Sequence, residues 1–161
     1  MRHLAPLALL LALTSLVGGQ PPPKPPVADP PKEEKKDDKS TRVKGTFTVP
    51  KGQMSFNKLT LEIRLYEYDP KLADTPATLV EKVQIKDFKH EQGKGTVTDF
   101  EVGAKGTVKD GKGYYLTLYV LDGETRVSRG DMDHDKGLGK VLTDGHPREV
   151  KATARQIGGK K

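Results

Sequence analysis

A short acidic segment in the second half of the chain holds the residue types with the most evident chemistry. Asp131, Asp133 and Asp135 stand two residues apart in the segment GDMDHDKG. Carboxylates at this spacing are the first three ligands of a D-x-D-x-D calcium loop. The match then ends, because the turn glycine comes one residue late, at Gly137, and Leu142 occupies the position of the bidentate glutamate. The segment therefore predicts either a weak, open calcium site or a solvated hairpin loop.

The acidic segment does not need a cation for stability. If the segment is extended, neighbouring carboxylates lie about 7 Å apart, and their repulsion in water is only about 0.6 kcal/mol per pair. A calcium site of this kind would have a dissociation constant of roughly 10⁻⁴ to 10⁻³ M. Met132 and His134 are potential copper ligands, but two ligands without a third at a known spacing make a poor copper site. Calcium is the one cofactor suggested, and the alternative is no cofactor.

Catalytic motifs are missing from the sequence. It contains no G-x-S-x-G elbow, no H-E-x-x-H and no Walker loop. His90 falls in a charged turn and His146 precedes Pro147, so the histidines form no constellation, and Glu62 and Glu67 are expected at solvent-facing or loop-edge positions. We therefore expect a protein that is not an enzyme. A hydrolase would need a concave pocket with a perturbed histidine or carboxylate pair.

Four tyrosines and an arginine form a second candidate site, a partner surface. They all fall on the polar phase of two predicted strands: Arg64, Tyr66, Tyr68, Tyr115 and Tyr119. If the two strands share a sheet, these side chains form an exposed patch of the kind that recognises a partner. The alternative interpretation is cross-strand packing under a loop. Since the chain has no tryptophan, stacking on carbohydrate is less favoured than binding to protein.

The two strands that carry this patch dominate the hydrophobic pattern. In the segment 58–68 four apolar residues alternate with polar ones, and the segment 114–121 repeats the pattern. Alternation with a period of two indicates strands that bury one face. Further short strands, separated by glycine- and proline-rich turns, follow the same rule, and no segment has a helical period. The sequence predicts an all-β fold, an antiparallel β-sandwich of seven to eight strands.

The domain organisation follows from composition. Residues 1–19 have a basic end and an apolar core that is typical of a signal peptide. Residues 20–41 are rich in proline and then in charge, which predicts a disordered linker. The β-sandwich is expected over 42–155, with a frayed tail at 156–161. The mature protein is expected to be exported to the periplasm or the extracellular space, without a transmembrane segment.

Net charge and cysteine content exclude one class of partner and several kinds of site. The 28 basic and 22 acidic residues give a net charge of +6. Because the two signs are interleaved, we expect no nucleic-acid partner. The chain has no cysteine, so it has no disulfide, no thiolate site and no lipobox for a lipid anchor.

Four segments resemble a known family. They are VKGTF, LEIRLYEYDPKLADTPATLVEK, YYLTLYVLDGE and GKVLTDGHPREVKATA, at 43–47, 61–82, 114–124 and 139–154. Their order resembles the YbaY family of bacterial envelope lipoproteins, which are similar to type III secretion pilotins. The resemblance covers about 70% of the chain, and its motifs are structural. It implies a small β-sandwich at the cell envelope, and some relatives act as chaperones or pilots for outer-membrane secretion components. This chain departs from the family in lacking the lipid-attachment cysteine on which piloting relies, and in carrying the acidic segment before Val141.

The sequence thus predicts an exported, non-enzymatic envelope module that acts by binding or as a chaperone. Its expected partner is an envelope protein or a cell-wall component. The alternative is a weak calcium-binding structural domain that uses the acidic segment.

Overall fold

The structure, a computed structural model, describes residues 39–72, 74–135 and 137–158. Every regular element in these residues is a β-strand, which confirms the all-β prediction with seven to eight strands. The strands are β1 (Val43–Val49), β2 (Phe56–Tyr68), β3 (Thr78–His90), β4 (Thr96–Val102), β5 (Gly113–Asp122), β6 (Thr125–Met132), β7 (Lys140–Val141) and β8 (Glu149–Gln156). The expected signal peptide and the expected linker up to residue 38 lie outside the described residues. No helix in the described ranges has the length and apolar character needed to cross a membrane.

The strands form one continuous sheet that nearly closes on itself. Its order is β3-β2-β5-β6-β8-β1-β4, and β7 pairs with β5 beside this path. The two facing layers of the predicted sandwich are therefore parts of one coiled sheet. One pair, β1 with β8, is parallel rather than antiparallel. Among the described residues these strands are the first and the last, so no short turn between them dictates their relative direction.

Bulges allow the long strands to wrap around the core. The β2–β3 ladder changes register three times, and two non-glycine residues at these irregularities, Lys58 and Asp87, have φ angles of 57° and 55°. An extra residue on one strand bends that strand and increases its twist. The bulges thus let two 13-residue strands curve over the core rather than run straight past it.

The core lies inside the coiled sheet. The alternating apolar residues of β2, which include Leu61, Ile63 and Leu65, have no exposed surface. Their β5 partners, Leu116, Leu118 and Val120, are buried as well. Complete burial of a side chain of this size stabilises a fold by about 1.5–3 kcal/mol. The core is completed by Tyr114 of β5 and by a buried set from the other strands: Val43, Phe47, Val49, Phe88, Phe100, Val102, Met132, Val141, Val150, Ala152 and Ala154.

The folded domain extends slightly beyond the expected range of 42–155. Ser40 bridges to Thr107, and Thr41 is only 1% exposed. Thr41 donates its N–H to the Gly106 carbonyl at 3.0 Å and its hydroxyl to the Gly103 carbonyl at 2.7 Å. At the other end, the N–H of Ile157 reaches the Val127 carbonyl at 3.0 Å. These additions depend on hydrogen bonds to distant residues, which composition does not reveal.

Gly45, the glycine of the opening V-x-G motif, gives a test of this packing. A Cβ at Gly45 would lie 2.6 Å from a ring carbon of Phe100 and 2.7 Å from the Val150 carbonyl oxygen. We expect Gly45→Ala to lower the free energy of unfolding by about 1–3 kcal/mol, the usual cost of overpacking. Gly52→Ala is the matched control, because no atom lies within 4 Å of a Cβ there. Urea unfolding measures both, and equal midpoints for the two variants would contradict the packing at Gly45.

Candidate functional site

The two central strands bring the predicted partner residues onto one surface. β2 and β5 are antiparallel neighbours, and their register pairs Arg64 with Thr117 and Tyr66 with Tyr115. Residues that pair directly share a face of the sheet. Since Leu61, Ile63 and Leu65 point inward, the residues that alternate with them point outward. Arg64, Tyr66, Tyr68, Tyr115 and Tyr119 therefore lie on one outer face, which we call the tyrosine face.

The aromatic rings of the tyrosine face contact one another. Tyr66 stacks on Tyr115 with ring centroids 5.1 Å apart and an interplanar angle of 15°. Tyr68 meets Tyr115 at 5.9 Å and 57°. Gly113 lies opposite Tyr68, and a Cβ there would overlap the tyrosine ring. The result is a continuous aromatic surface, half-buried and held by a rigid sheet.

A cationic contact extends this surface at Tyr119. The Arg126 guanidinium lies 4.2 Å from the centroid of the Tyr119 ring, a cation–π geometry. Burial, followed by the neighbouring Tyr66 and Tyr119, raises the pKa of Tyr115 above 10.0. The Tyr115 hydroxyl is therefore uncharged at neutral pH, and it can both donate and accept a hydrogen bond.

Glu62 lies at the centre of the outer face and yet is only 2% exposed. Its Oε1 atom is 2.7 Å from Nε and 2.6 Å from Nη2 of Arg64, and its Oε2 accepts a hydrogen bond from Gln84 at 2.8 Å. Lys82 lies 4.0 Å from the same Oε2. The expectation of a solvent-facing Glu62 was wrong, because Arg64 of the same strand and Gln84 and Lys82 of the neighbouring β3 contact its carboxylate.

Arg64 is fixed by its neighbours on both sides. Besides the contacts to Glu62, its Nη1 donates to the Tyr66 hydroxyl at 3.3 Å. The hydrogen bond to Tyr66 is the largest cause of a raised Arg64 pKa, which the Glu62 carboxylate raises further and burial opposes. The side chain remains 29% exposed. The site thus presents an oriented guanidinium beside an aromatic stack, a combination suited to binding rather than to proton transfer.

Two of the three carboxylates of the acidic segment, Asp131 and Asp135, have partners of their own. Asp131 lies 2.9 Å from Nε of Arg129 and 3.6 Å from Nη1 of Arg155. Asp135 accepts backbone N–H bonds from Gly137 at 2.8 Å and from Lys140 at 3.1 Å. These two bonds, with Lys140 first, lower the pKa of Asp135 below 3.8.

The proposed cation sites gain no support from this arrangement. Within the described ranges, no group of three or more histidine, aspartate or glutamate side chains could hold a metal ion. Asp133 is exposed, and Met132 is buried in the core rather than placed beside His134. The calcium site of Asp131, Asp133 and Asp135 stays a prediction.

A cleft that sequence reasoning missed opens beside His90. It has a volume of about 870 Å³ and lies between the start of β2, the end of β3 and the start of β4. His90 is in β3 and buried, not in a turn, and its ring meets Phe56 at 5.5 Å. Its Nδ1 lies 3.0 Å from the Thr96 hydroxyl and its Nε2 3.3 Å from the Gln53 carbonyl. Both ring nitrogens therefore have structural partners.

Comparisons with known proteins support the fold. No family model matches the sequence, and no curated protein sequence matches it. A solved structure, an alternative pilotin from the type II secretion system of Vibrio cholerae, is similar, with a TM-score of 0.51 and 17% sequence identity. The match covers 73% of this chain and 97% of the pilotin chain. The fold is thus pilotin-like. The structural similarity supports the fold that the family resemblance implies.

The buried carboxylate of Glu62 allows a stability test. Replacing it by glutamine removes the charge that balances Arg64, so we expect Glu62→Gln to lower the free energy of unfolding by about 1–3 kcal/mol. Glu101→Gln is the matched control, because Glu101 is exposed and pairs with Arg42 at 3.3 Å; surface pairs contribute about 0–1 kcal/mol. Denaturant unfolding should rank the two losses in this order. A larger loss for Glu101→Gln would contradict the assigned contacts.

Calcium gives a second test of the acidic segment. Because Asp131 and Asp135 already have partners, we expect millimolar calcium to leave the melting temperature and a calorimetric titration unchanged. A site with a dissociation constant of about 1 mM would instead add about 1.4 kcal/mol at 10 mM calcium. If the melting temperature rises, Asp133→Asn should abolish the rise, and the calcium-binding alternative would then hold.

Proposed function

We propose that this chain is an exported, non-enzymatic binding module of the cell envelope, and that the tyrosine face is its recognition surface. One observation carries the proposal. A stacked tyrosine pair and a fixed arginine occupy the outer face of the two central strands. Tyrosine and arginine are enriched at the energetically important positions of protein interfaces.

The rigidity of the surface supports a binding role. Each tyrosine side chain has few rotatable bonds, and β2 and β5 are anchored by the core beneath them, so little entropy is lost when a partner binds. Arg64 is already held by Glu62 and Tyr66. The surface can therefore bind a partner without first ordering its own side chains.

The partner class we propose is a protein of the cell envelope. The pilotin-like fold is compatible with this class, since the similar structure is a pilotin of a type II secretion system. A chaperone-like role, in which the module holds an envelope protein during transport or assembly, is our specific form of the proposal. Tyrosine and arginine without tryptophan favour protein over carbohydrate at this surface.

A double substitution tests the proposal. We expect Tyr66→Ser with Tyr119→Ser to abolish recovery of the partner that the wild-type domain captures from an envelope fraction. The reason is that the Tyr66–Tyr115 stack and the Tyr119 ring are both removed, and of the described ring contacts of the face only that of Tyr68 with Tyr115 remains. Val97→Ser is the matched control, since Val97 on β4 is 64% exposed and β4 pairs with β1 rather than with β2 or β5. Its capture should equal that of the wild type.

Circular dichroism and the unfolding midpoint must be unchanged in the variants. Retained capture by a folded double variant would refute the proposed surface. If the double variant unfolds, Tyr119→Ser alone is measured in its place, because Tyr119 makes its described ring contact with Arg126 and not with another tyrosine. Equal capture by that variant and the wild type would also refute the surface.

A further inference from the structure

We propose that the tyrosine face binds an extended acidic segment of a partner polypeptide. A carboxylate of that segment pairs with the Arg64 guanidinium. The side chain two residues away in the same segment packs on the Tyr66–Tyr115 stack. This inference rests on the proposed function and specifies the chemistry of the partner.

The donor inventory of Arg64 supports a carboxylate ligand. A guanidinium has five N–H donors. Contacts in the structure use three of them: Nε–H and one hydrogen of Nη2 on Glu62, and one hydrogen of Nη1 on the Tyr66 hydroxyl. Among the contacts of the described residues, one N–H on each terminal nitrogen is left. Each of these two N–H groups can donate to one oxygen of a carboxylate.

The burial of Glu62 keeps these two donors in one orientation. Nε and Nη2 form the edge of the guanidinium that contacts the carboxylate. Gln84 holds the other carboxylate oxygen, so Glu62 is itself fixed. Because the guanidinium is oriented before binding, less side-chain entropy is lost when a ligand arrives. Glu62 is thus a positioning residue for Arg64.

The spacing of the face fits an extended peptide. Arg64 and Tyr66 are two residues apart on β2, so their Cα atoms lie about 6.6–6.8 Å apart along the strand, and the Arg64 guanidinium reaches to 3.3 Å from the Tyr66 hydroxyl. An extended ligand has the same repeat. A carboxylate on Arg64 therefore places the next side chain on the same side of the ligand over the Tyr66–Tyr115 stack. An apolar or aromatic side chain fits that position best.

The charge of the face complements an acidic segment. Four basic residues lie on the strands to either side: Lys82 opposite Arg64, Arg126 over the Tyr119 ring, Arg129 opposite Tyr119, and Arg155 opposite Arg129 on β8. Glu62 and Asp131 are already paired with arginines. A nucleic acid would need several cations free to contact successive phosphates. Three of these four cations are partly neutralised: Arg129 and Arg155 by Asp131, and Lys82 by Glu62. The arrangement favours one or two carboxylates on a polypeptide.

Labelled peptides test the inference on the whole chain. The first peptide carries glutamate and phenylalanine separated by one residue, in a glycine and serine background. The second has glutamine in place of glutamate, and the third has the same composition with glutamate and phenylalanine adjacent. Fluorescence anisotropy should show binding of the first peptide, weakened by salt, and at least about tenfold weaker binding of the other two.

Variants of the protein distinguish a specific contact with Arg64 from general electrostatic attraction. We expect Arg64→Lys, which keeps the charge but loses the paired donors, to weaken binding of the first peptide by about tenfold. Lys105→Gln, at an exposed loop position between β4 and β5, removes a charge away from the face and should change affinity less than about twofold. Circular dichroism confirms the fold of each variant.

Every result of the peptide and variant experiments either supports or overturns the proposed binding of an acidic segment. Equal binding of the three peptides, or equal affinity of Arg64→Lys and the wild type, would overturn it. No binding of the first peptide at 1 mM would overturn it too, as would binding only to vesicles of anionic phospholipid. In all these cases the loss of partner capture in the tyrosine variants would still stand, so the proposed function is judged separately. The peptide comparisons need no variant and stay decisive even if Arg64→Lys unfolds.

Discussion

The antiparallel pairing of β2 with β5 is the constraint on which the rest of the molecule depends. Because side chains alternate along a strand, the same register turns Leu61, Ile63 and Leu65 inward and Arg64 and Tyr66 outward. A slip of one residue would exchange the two sets, exposing the core and burying a guanidinium. The hydrophobic free energy of the core therefore also holds the tyrosine face in register.

Burying the Glu62 carboxylate costs free energy, and the fold by itself does not require a buried charge at this position. Desolvation of a charge is unfavourable, and well-packed apolar residues often stabilise a protein as much as a buried ion pair does. Here Arg64 and Gln84 offset the cost with short hydrogen bonds. The gain is a guanidinium with one orientation on the tyrosine face, which connects the energetics of the sheet to the proposed recognition.

The sheet closes in a way that limits its free edges. β3 and β4 follow each other in the chain, yet β3 pairs with β2 and β4 with β1. At one end the Glu81 carboxylate accepts the Gly103 N–H at 2.5 Å, and at the other end the His90 cleft separates the two strands. Exposed lysines along β3 discourage edge-to-edge association with another sheet. The proposed recognition therefore uses an outer face and not a strand edge.

The sequence alone determined the all-β class and the inward and outward phases of β2 and β5, because strand periodicity is a local property that side-chain alternation records directly. It therefore also determined that Arg64 and the four tyrosines share the polar phase of their strands. Tertiary structure decided the burial of Glu62, the pairing of Asp131 with Arg129 and Arg155, and the cleft at His90. Each of these features depends on which strand from a distant part of the sequence lies next to the residue concerned. The parallel pairing of β1 with β8 depends on the same choice of neighbour. Strand order is set by the packing of the whole chain, and no local pattern of residues specifies it.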